Sequence, residues 1–313
     1  MKHELDAATK QFLDALSPST KRVYSHGLAA FQEFYKENGT IETFLEELEK
    51  DALRPRLEKR RIGVKTLNNF IDWLRKRGFK PKTIRTYVAA VQSLAKFYDI
   101  PLSLRYVQLP TSQPASRKYP WTIEEVERFV AILDKPIYKS IATSMVQSGL
   151  SLSDLLSLTY EDIKYELEAD ITPICIDLSR KKTDVPFMTF LGEWAVHLLK
   201  RYINSKRHKR LRPSDRLYPV SARAIENQFA KAAKQFIGFY RGINPCRPHS
   251  LRAAFHTILR DHKVDPLYVE FWMGHKLPEH NAVYISKSKE GWRKTYKEQA
   301  EPWLTPPNFR KEV

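Results

Sequence analysis

The chain has 313 residues, enough for two domains with their own cores, and its 42% hydrophobic and 12% aromatic content argues against intrinsic disorder. Lys plus Arg number 53 against 36 Asp plus Glu, a formal charge of +17. That charge points to a polyanionic partner: nucleic acid rather than an acidic membrane, since there is no bilayer-length apolar run and no detached basic amphipathic segment. Cys175 and Cys246 cannot build a disulfide framework and lack ligand spacing, so both read as buried or indifferent thiols, and no apolar signal core opens the chain. The expected compartment is a reducing cytoplasm, and no metal or other cofactor is expected.

From residue 10 to about 105 the apolar spacing is helical throughout. Ser19-Thr20 is expected to cap a helix with an apolar or small side of Val23, Gly27, Ala30, Phe31 and Phe34, ending at Asn38-Gly39. Thr40 opens a second with Phe44, Leu45 and Leu48. Leu67, Phe70, Ile71 and Leu74 mark a third up to Gly78, and after Pro81 a fourth carries Ile84, Tyr87, Val88, Val91, Leu94 and Tyr98. Lys21, Arg22, Lys80, Lys82 and Arg85 lie at helix starts, where backbone N–H groups and side-chain charge can both meet phosphate; an ordinary solvated face is the competing reading. The basic stretch 54–65 has little periodicity and reads as a loop or a frayed helix end.

Between Leu102 and Pro120 the pattern lapses into a proline-punctuated stretch low in apolar residues, which reads as a linker over 106–120. A second domain, 121–313, then starts where Thr122 and Glu125 form a capping box ahead of Val126, Phe129, Val130 and Leu133. Ile174, Ile176 and Leu178 alternate as a strand, and Phe187 to Leu191 can return antiparallel across a basic tip, Arg180-Lys181-Lys182-Thr183. Trp194 to Tyr202 is helical. Ser221 caps a further helix with Arg223, Gln228, Lys231 and Lys234 on its polar face, suited to a DNA groove. An extended basic strap between two domains would let them close on a duplex.

The most informative stretch follows. His249-Ser250-Leu251-Arg252 opens a helix carrying Ala253, Ala254, Phe255, Ile258 and Leu259, so His249 and Arg252, three apart, share one face of its first turn. Pro266 opens a short helix through Leu267, Val269, Phe271 and Trp272 that stops at Gly274 and leaves His275 in the following turn. Tyr284 lies nine residues beyond His275. A phenol attacking a DNA phosphate forms a covalent phosphotyrosine that conserves the bond energy, so the step needs neither ATP nor metal; the sequence has no glycine-rich phosphate loop and no His-Glu-x-x-His. It needs cationic donors around the non-bridging oxygens and an acid for the leaving 5′ oxygen. Beyond Tyr284, Trp292, Tyr296, Ala300 and Trp303 recur at three to four residues, a stripe that reads as core or, at a terminus, as a surface for a neighbouring subunit.

The ordered set His249-x-x-Arg252, Gly274-His275 and Tyr284 resembles the signature of the tyrosine recombinases, the phage-type integrases and chromosome-dimer resolvases. The resemblance implies a mainly α fold in two domains: an N-terminal four-helix, SAM-like core-binding domain over 1–105, and a mostly helical catalytic domain with a small antiparallel sheet. It implies Tyr284 as nucleophile, with Tyr296 as the fallback, and Arg252, His249 and His275 around the scissile phosphate. Lys182, with Lys181 as runner-up, becomes the hairpin lysine that protonates the leaving oxygen. It also implies double-stranded DNA at specific sites as partner and a homotetramer on DNA, weakly associated or monomeric without it. The segment Gln147 to Ile163 resembles the family's first catalytic box with one departure: an Arg follows the Gly-Leu in the family, and Ser151 does here. A serine offers no charged fork. Arg247 is the first choice for a compensating cation, with Arg180 or Lys181 as the others. A recombinase-derived DNA-binding protein that no longer cuts is therefore the second reading.

Overall fold

The computed structural model describes residues 5–55, 58, 61–111, 119–179, 185–205, 211–236, 244–278 and 287–309. The chain divides into two units, Met1–Ala115 and Ser116–Val313. The first contains α1 (Ala7–Asp14), α2 (Pro18–Tyr35), α3 (Ile41–Ala52), α4 (Ile62–Lys76) and α5 (Pro81–Phe97). Aromatic rings fill its centre: Phe31 meets Phe44 and Phe70 edge-on at 4.9 and 5.1 Å, among buried Leu28, Leu67, Ile71 and Val91.

The structure departs from the sequence expectations at three places in this unit. A short helix, α1, precedes the expected four; Asp6 caps it through the Thr9 N–H at 2.8 Å and also accepts from the Glu42 N–H at 3.1 Å, so one carboxylate joins α1 to the start of α3. α2 begins at Pro18, with Ser17 rather than Ser19 or Thr20 at its N-cap. Proline at N1 sets that start, and the buried side runs through Gly27, Leu28, Phe31 and Tyr35 while Val23 is 40% exposed. Residues 62–65, expected as a loop or frayed end, belong to α4, which opens after a left-handed Arg61 with the Ile62 N–H bonded to Asp51 at 3.2 Å.

The stretch expected to start the linker runs back over the first unit. Val107 is buried in its core, the Gln108 N–H donates to Asn68 Oδ1 at 2.8 Å, and Arg75 Nη2 donates to the Gln108 carbonyl at 3.3 Å. Satisfying those backbone groups holds the stretch down despite its loop-like composition. Residues 112–118 lie outside the described residues.

The second unit contains α6 (Ile123–Ile132), α7 (Pro136–Ser148), α8 (Leu152–Leu155), α9 (Glu161–Glu168), β1 (Ile174–Ser179), β2 (Pro186–Leu191), α10 (Glu193–Ser205), α11 (Ala222–Phe236), α12 (Pro248–Asp261), α13 (Pro266–Trp272), α14 (Lys289–Gln299) and α15 (Glu301–Leu304). Thr122 and Glu125 cap α6 reciprocally, at 3.3 and 3.0 Å. α7 is the central helix: every residue from Ser140 to Ser148 is buried, with α10 and α12 packed on it. β1 and β2 pair antiparallel with Ile174 opposite Leu191 and Ser179 opposite Pro186. Cys175 in β1 is buried along with Ile174 and Ile176, so the root of the hairpin is covered on both faces and the alternation holds only towards the tip. The fold is thus mainly α with one small antiparallel sheet.

Candidate active site

Two helix C-termini and one helix N-terminus converge on Arg252. α7 ends at Gly149 (φ +65°) and α13 ends in a turn through Met273 and Gly274 (φ +64°). Both glycines take the left-handed conformation that closes a helix, and neither has room for a side chain: a Cβ would lie 2.6 Å from the Phe255 ring at Gly149 and 2.7 Å from the Phe187 ring at Gly274. Helix C-termini leave backbone carbonyls without helical partners and carry the negative end of the helix dipole. Arg252, only 4% exposed in the first turns of α12, fills that demand. Its Nη1 donates to the Gly149 carbonyl, and its Nη2 donates to the Met273 carbonyl at 2.8 Å and to His275 Nε2 at 3.0 Å.

His249 stands three residues before Arg252 in the same first turn and is exposed. Arg247, at the N-cap of α12, is exposed too, with Pro248 at the first helical position. His275 is half-buried, and its Nδ1 meets Glu270 Oε2. The other oxygen of Glu270 lies 3.3 Å from His256 Nε2. Burial pushes the Glu270 carboxyl up, but hydrogen bonds and charge from His275 and His256 outweigh it and hold the group below the usual carboxylate range. The structure therefore brings Arg252, His275 and the end of the first box together, on the α12 turn that also carries His249.

Ser151 sits two residues past Gly149 and is committed locally. It caps α8 through the Asp154 N–H at 3.2 Å and donates to Asp154 Oδ2 at 2.6 Å, with Ser153 Oγ at 2.8 Å. One residue before Ser148, buried Gln147 ties the C-terminal segment to this end of α7. Its Nε2 donates to the Leu304 carbonyl at 3.1 Å and Thr305 Oγ1 at 3.0 Å, and its Oε1 accepts the Ala195 N–H at 2.8 Å.

Tyr284, Lys182, Lys181 and Arg180 lie outside the described residues. The chain on either side of Tyr284 is pinned. His275 is held as above, and Lys287 Nζ donates to Thr295 Oγ1 at 2.8 Å and Tyr268 OH at 3.2 Å, over the Tyr268 and Trp292 rings at 4.3 and 4.9 Å. Tyr296, the fallback nucleophile, is fully buried, with its OH donating to the Gln147 carbonyl at 2.6 Å. Burial and nearby Glu301 hold its phenol well above the ordinary range, the opposite of an activated nucleophile. Trp292, Tyr296 and Ala300 are core; Trp303 is 41% exposed and stacks on His262 at 4.0 Å.

The basic residues assigned to DNA are exposed, and several have intramolecular partners. Lys21 pairs with Asp14 at 2.6 Å, Arg85 donates to the Pro110 carbonyl at 3.4 Å, and Lys231 pairs with Asp134 at 3.4 Å. Hydrogen bonds from Gln228 and Lys231 hold the Asp134 carboxyl low. Arg22, Lys80, Lys82, Arg223 and Lys234 are exposed as well.

Sequence reasoning missed Glu270 and His256. Two signals were available: His256 lies four residues after Arg252, hence on the same helical face, and Glu270 and His275 flank the end of a helix closed by glycine. It also missed a buried charged cluster between α9, β1 and α14. There Glu166, 6% exposed, receives Arg293 Nη2 at 2.8 Å, Arg293 Nη1 at 3.0 Å and the Cys175 N–H at 2.7 Å, with Lys289 at 2.5 Å. Among the described residues no group of His, Cys, Asp and Glu is arranged to hold a metal ion, and no helix is long and apolar enough to cross a membrane.

Residues 121–290 match the model of the phage integrase family. Tyrosine recombinase XerA of Pyrococcus horikoshii is 26% identical over 276 residues, covering 86% of this chain and 83% of that protein. Tyrosine recombinase XerD of Halalkalibacterium halodurans is 25% identical over 259 residues, covering 76% and 81%. Among solved structures, the XerH site-specific recombinase bound to its difH substrate in a pre-cleavage complex aligns with a TM-score of 0.61 at 17% identity over 93% of this chain and 97% of that one. A lambda integrase dimer bound to a COC′ core site aligns at 0.59 and 15% identity over 91% and 96%. At such identities the structural likeness establishes a shared fold, and the family match, which takes in the whole Arg252 socket and more than half of the chain, establishes kinship: this chain belongs to the phage integrase family of tyrosine recombinases.

Proposed function

We propose that this chain is a site-specific recombinase that cuts and rejoins double-stranded DNA through a covalent 3′-phosphotyrosine at Tyr284, acting as a homotetramer on its sites and weakly associated or monomeric off them. The observation that carries the reading is the Arg252 socket: a buried guanidinium held by neutral carbonyls, with His275 against it and His249 one turn away. Arg252, His249 and His275 would share the charge that spreads over the non-bridging oxygens. Lys182, with Lys181 as the alternative, would protonate the leaving 5′ oxygen. Residues 1–105, with the 106–111 stretch packed on them, serve as the core-binding domain, the remainder of 106–120 as the linker and 121–313 as the catalytic domain. Lys21, Arg22, Lys80, Lys82, Arg85, Arg223, Lys231 and Lys234 supply phosphate contacts; Lys21 and Lys231 would exchange Asp14 and Asp134 for DNA, a low-cost exchange because exposed ion pairs contribute little.

A second reading is favoured by one specific observation. The Ser151 hydroxyl is spent on Asp154 and on the cap of α8, so this position supplies no cation to the phosphate. A DNA-binding relative that has stopped cutting would look like this. Against it stands Arg247, exposed at the N-cap of α12 and two residues from His249, as the proposed stand-in. A nicked suicide duplex carrying the host element's attachment site tests both. Wild-type protein should form a covalent adduct that Tyr284→Phe abolishes; tight binding with no adduct would establish the second reading.

A further inference from the structure

We propose that Glu270 is a positioning residue for this site, holding His275 as the Nδ1–H tautomer with Nε2 turned to the Arg252 guanidinium, while His256 braces the carboxylate from its other oxygen. The roles of Arg252 and His275 on which this rests are those of the recombinase reading.

The placement follows from how α13 ends. The Gly274 N–H bonds to the Phe271 carbonyl at 2.8 Å and the His275 N–H to the Glu270 carbonyl at 3.0 Å, the paired bonds of a Schellman turn. That turn sets the residue after the glycine against the third residue from the helix end, a pair that is usually two apolar side chains. Here it is an imidazole and a carboxylate, and Nδ1 of His275 meets Glu270 Oε2.

Hydrogen-bond bookkeeping then fixes the proton. A guanidinium can only donate, so at 3.0 Å from Arg252 Nη2 the Nε2 atom of His275 must be the acceptor, and the ring's proton resides on Nδ1, donated to Glu270. His256, one turn beyond Arg252 on α12, reaches the remaining oxygen at 3.3 Å. The chain Arg252, His275, Glu270, His256 thus runs from a buried cation to a half-exposed imidazole, with the carboxylate separated from the guanidinium by one ring. When a phosphate oxygen takes over the Arg252 donor, Nε2 already faces it, and a protonated His275 can donate there while Nδ1 stays on Glu270. Without Glu270 the ring is free to turn or to carry its proton on Nε2, where it would confront a guanidinium N–H.

The test is the imidazole ¹⁵N spectrum of full-length labelled protein, with His275 assigned by substitution, read beside adduct yield on the suicide duplex. Wild type should show His275 protonated on Nδ1. Glu270→Gln keeps an acceptor, so it should retain that tautomer and stay within about threefold of wild-type adduct yield. Glu270→Leu should lose the tautomer and cut adduct yield by about 10- to 100-fold, the scale of losing the outer partner of a metal-binding histidine, with DNA affinity little changed. Rescue by Gln of what Leu loses separates positioning from folding. A wild-type His275 protonated on Nε2, or a Glu270→Leu protein with unchanged tautomer and yield, overturns the proposal. If wild type forms no adduct at all, the recombinase reading fails, and the tautomer alone decides the proposal.

Discussion

Two arginines buried among the described residues of the second unit, Arg252 and Arg293, have different described acceptors. Arg293 is clasped by both oxygens of Glu166 and flanked by Glu290, so its charge is neutralised where it sits. The acceptors described for Arg252 are two backbone carbonyls and an imidazole nitrogen, none of them charged. A guanidinium solvated by helix C-terminal dipoles is held in place yet still projects positive charge; one solvated by a carboxylate is a fastener. The fastener joins α14 to α9 and the root of β1, whereas the Arg252 guanidinium ties the ends of α7 and α13 to α12. Burial of an arginine does not by itself distinguish an anchor from a site.

Breaking each cluster should expose that difference. Arg293→Met leaves Glu166 with only Lys289 and the Cys175 N–H, and loss of one partner from a buried pair costs about 3–5 kcal/mol, read as a lower melting midpoint, while protein that remains folded still forms adduct. Arg252→Lys keeps a charge but loses the fork; cleavage should fall by about 10²–10³-fold, with DNA binding nearly intact, because one charge-stabilising donor is worth about 2.7–4 kcal/mol in the transition state. Equal loss of binding and cleavage would place Arg252 with the anchors.

Gly274→Ala should fall next. It forces a Cβ into the Phe187 ring at a left-handed position, displacing the Met273 carbonyl and His275 together, with about 1–3 kcal/mol of strain and a matching loss of adduct. The pH dependence sharpens the anchor. Although burial raises it, Glu166 is held below its ordinary value of 4.5 by Arg293, Lys289 and the Cys175 N–H. A carboxyl lowered in the folded state contributes stability that is whole above its unfolded value and is lost as pH falls through the lower folded value. Stability should therefore hold from neutrality to about pH 5 and drop below the ordinary carboxylate range, and Glu166→Gln should flatten that acid limb. The smallest effect concerns Ser151: with Arg247 standing in, Ser151→Arg should leave adduct yield unchanged or raise it modestly, and Arg247→Ala should lower cleavage far more than binding. Activity appearing only in Ser151→Arg would mark the wild type as a DNA-binding remnant.

Much of this arrangement was legible in the sequence because it is local. Pro266, Gly274 and the run from Leu251 to Leu259 encode helix starts, stops and faces within a few residues, which is why α12, α13 and the His249 to His275 order could be read directly. The first box was recognisable, and its departure at Ser151 visible, but not the Asp154 cap that occupies the hydroxyl. What periodicity could not supply is contact across distance. Glu166 and Arg293 are far apart in the chain, and the burial of Val107, within a stretch of loop-like composition, depends on Asn68 and Arg75 bonding the backbone of the next residue. Val23 misled because an apolar residue near a helix start is no evidence of burial; the buried side of α2 runs through Gly27, Leu28, Phe31 and Tyr35.

The most direct test of the account is to trap wild-type protein on the suicide duplex, digest the adduct with nuclease and trypsin, and locate the nucleotide by mass spectrometry. The account predicts the modification on the peptide spanning residues 277–287, at Tyr284. A nucleotide on any other tyrosine, Tyr296 included, would contradict it.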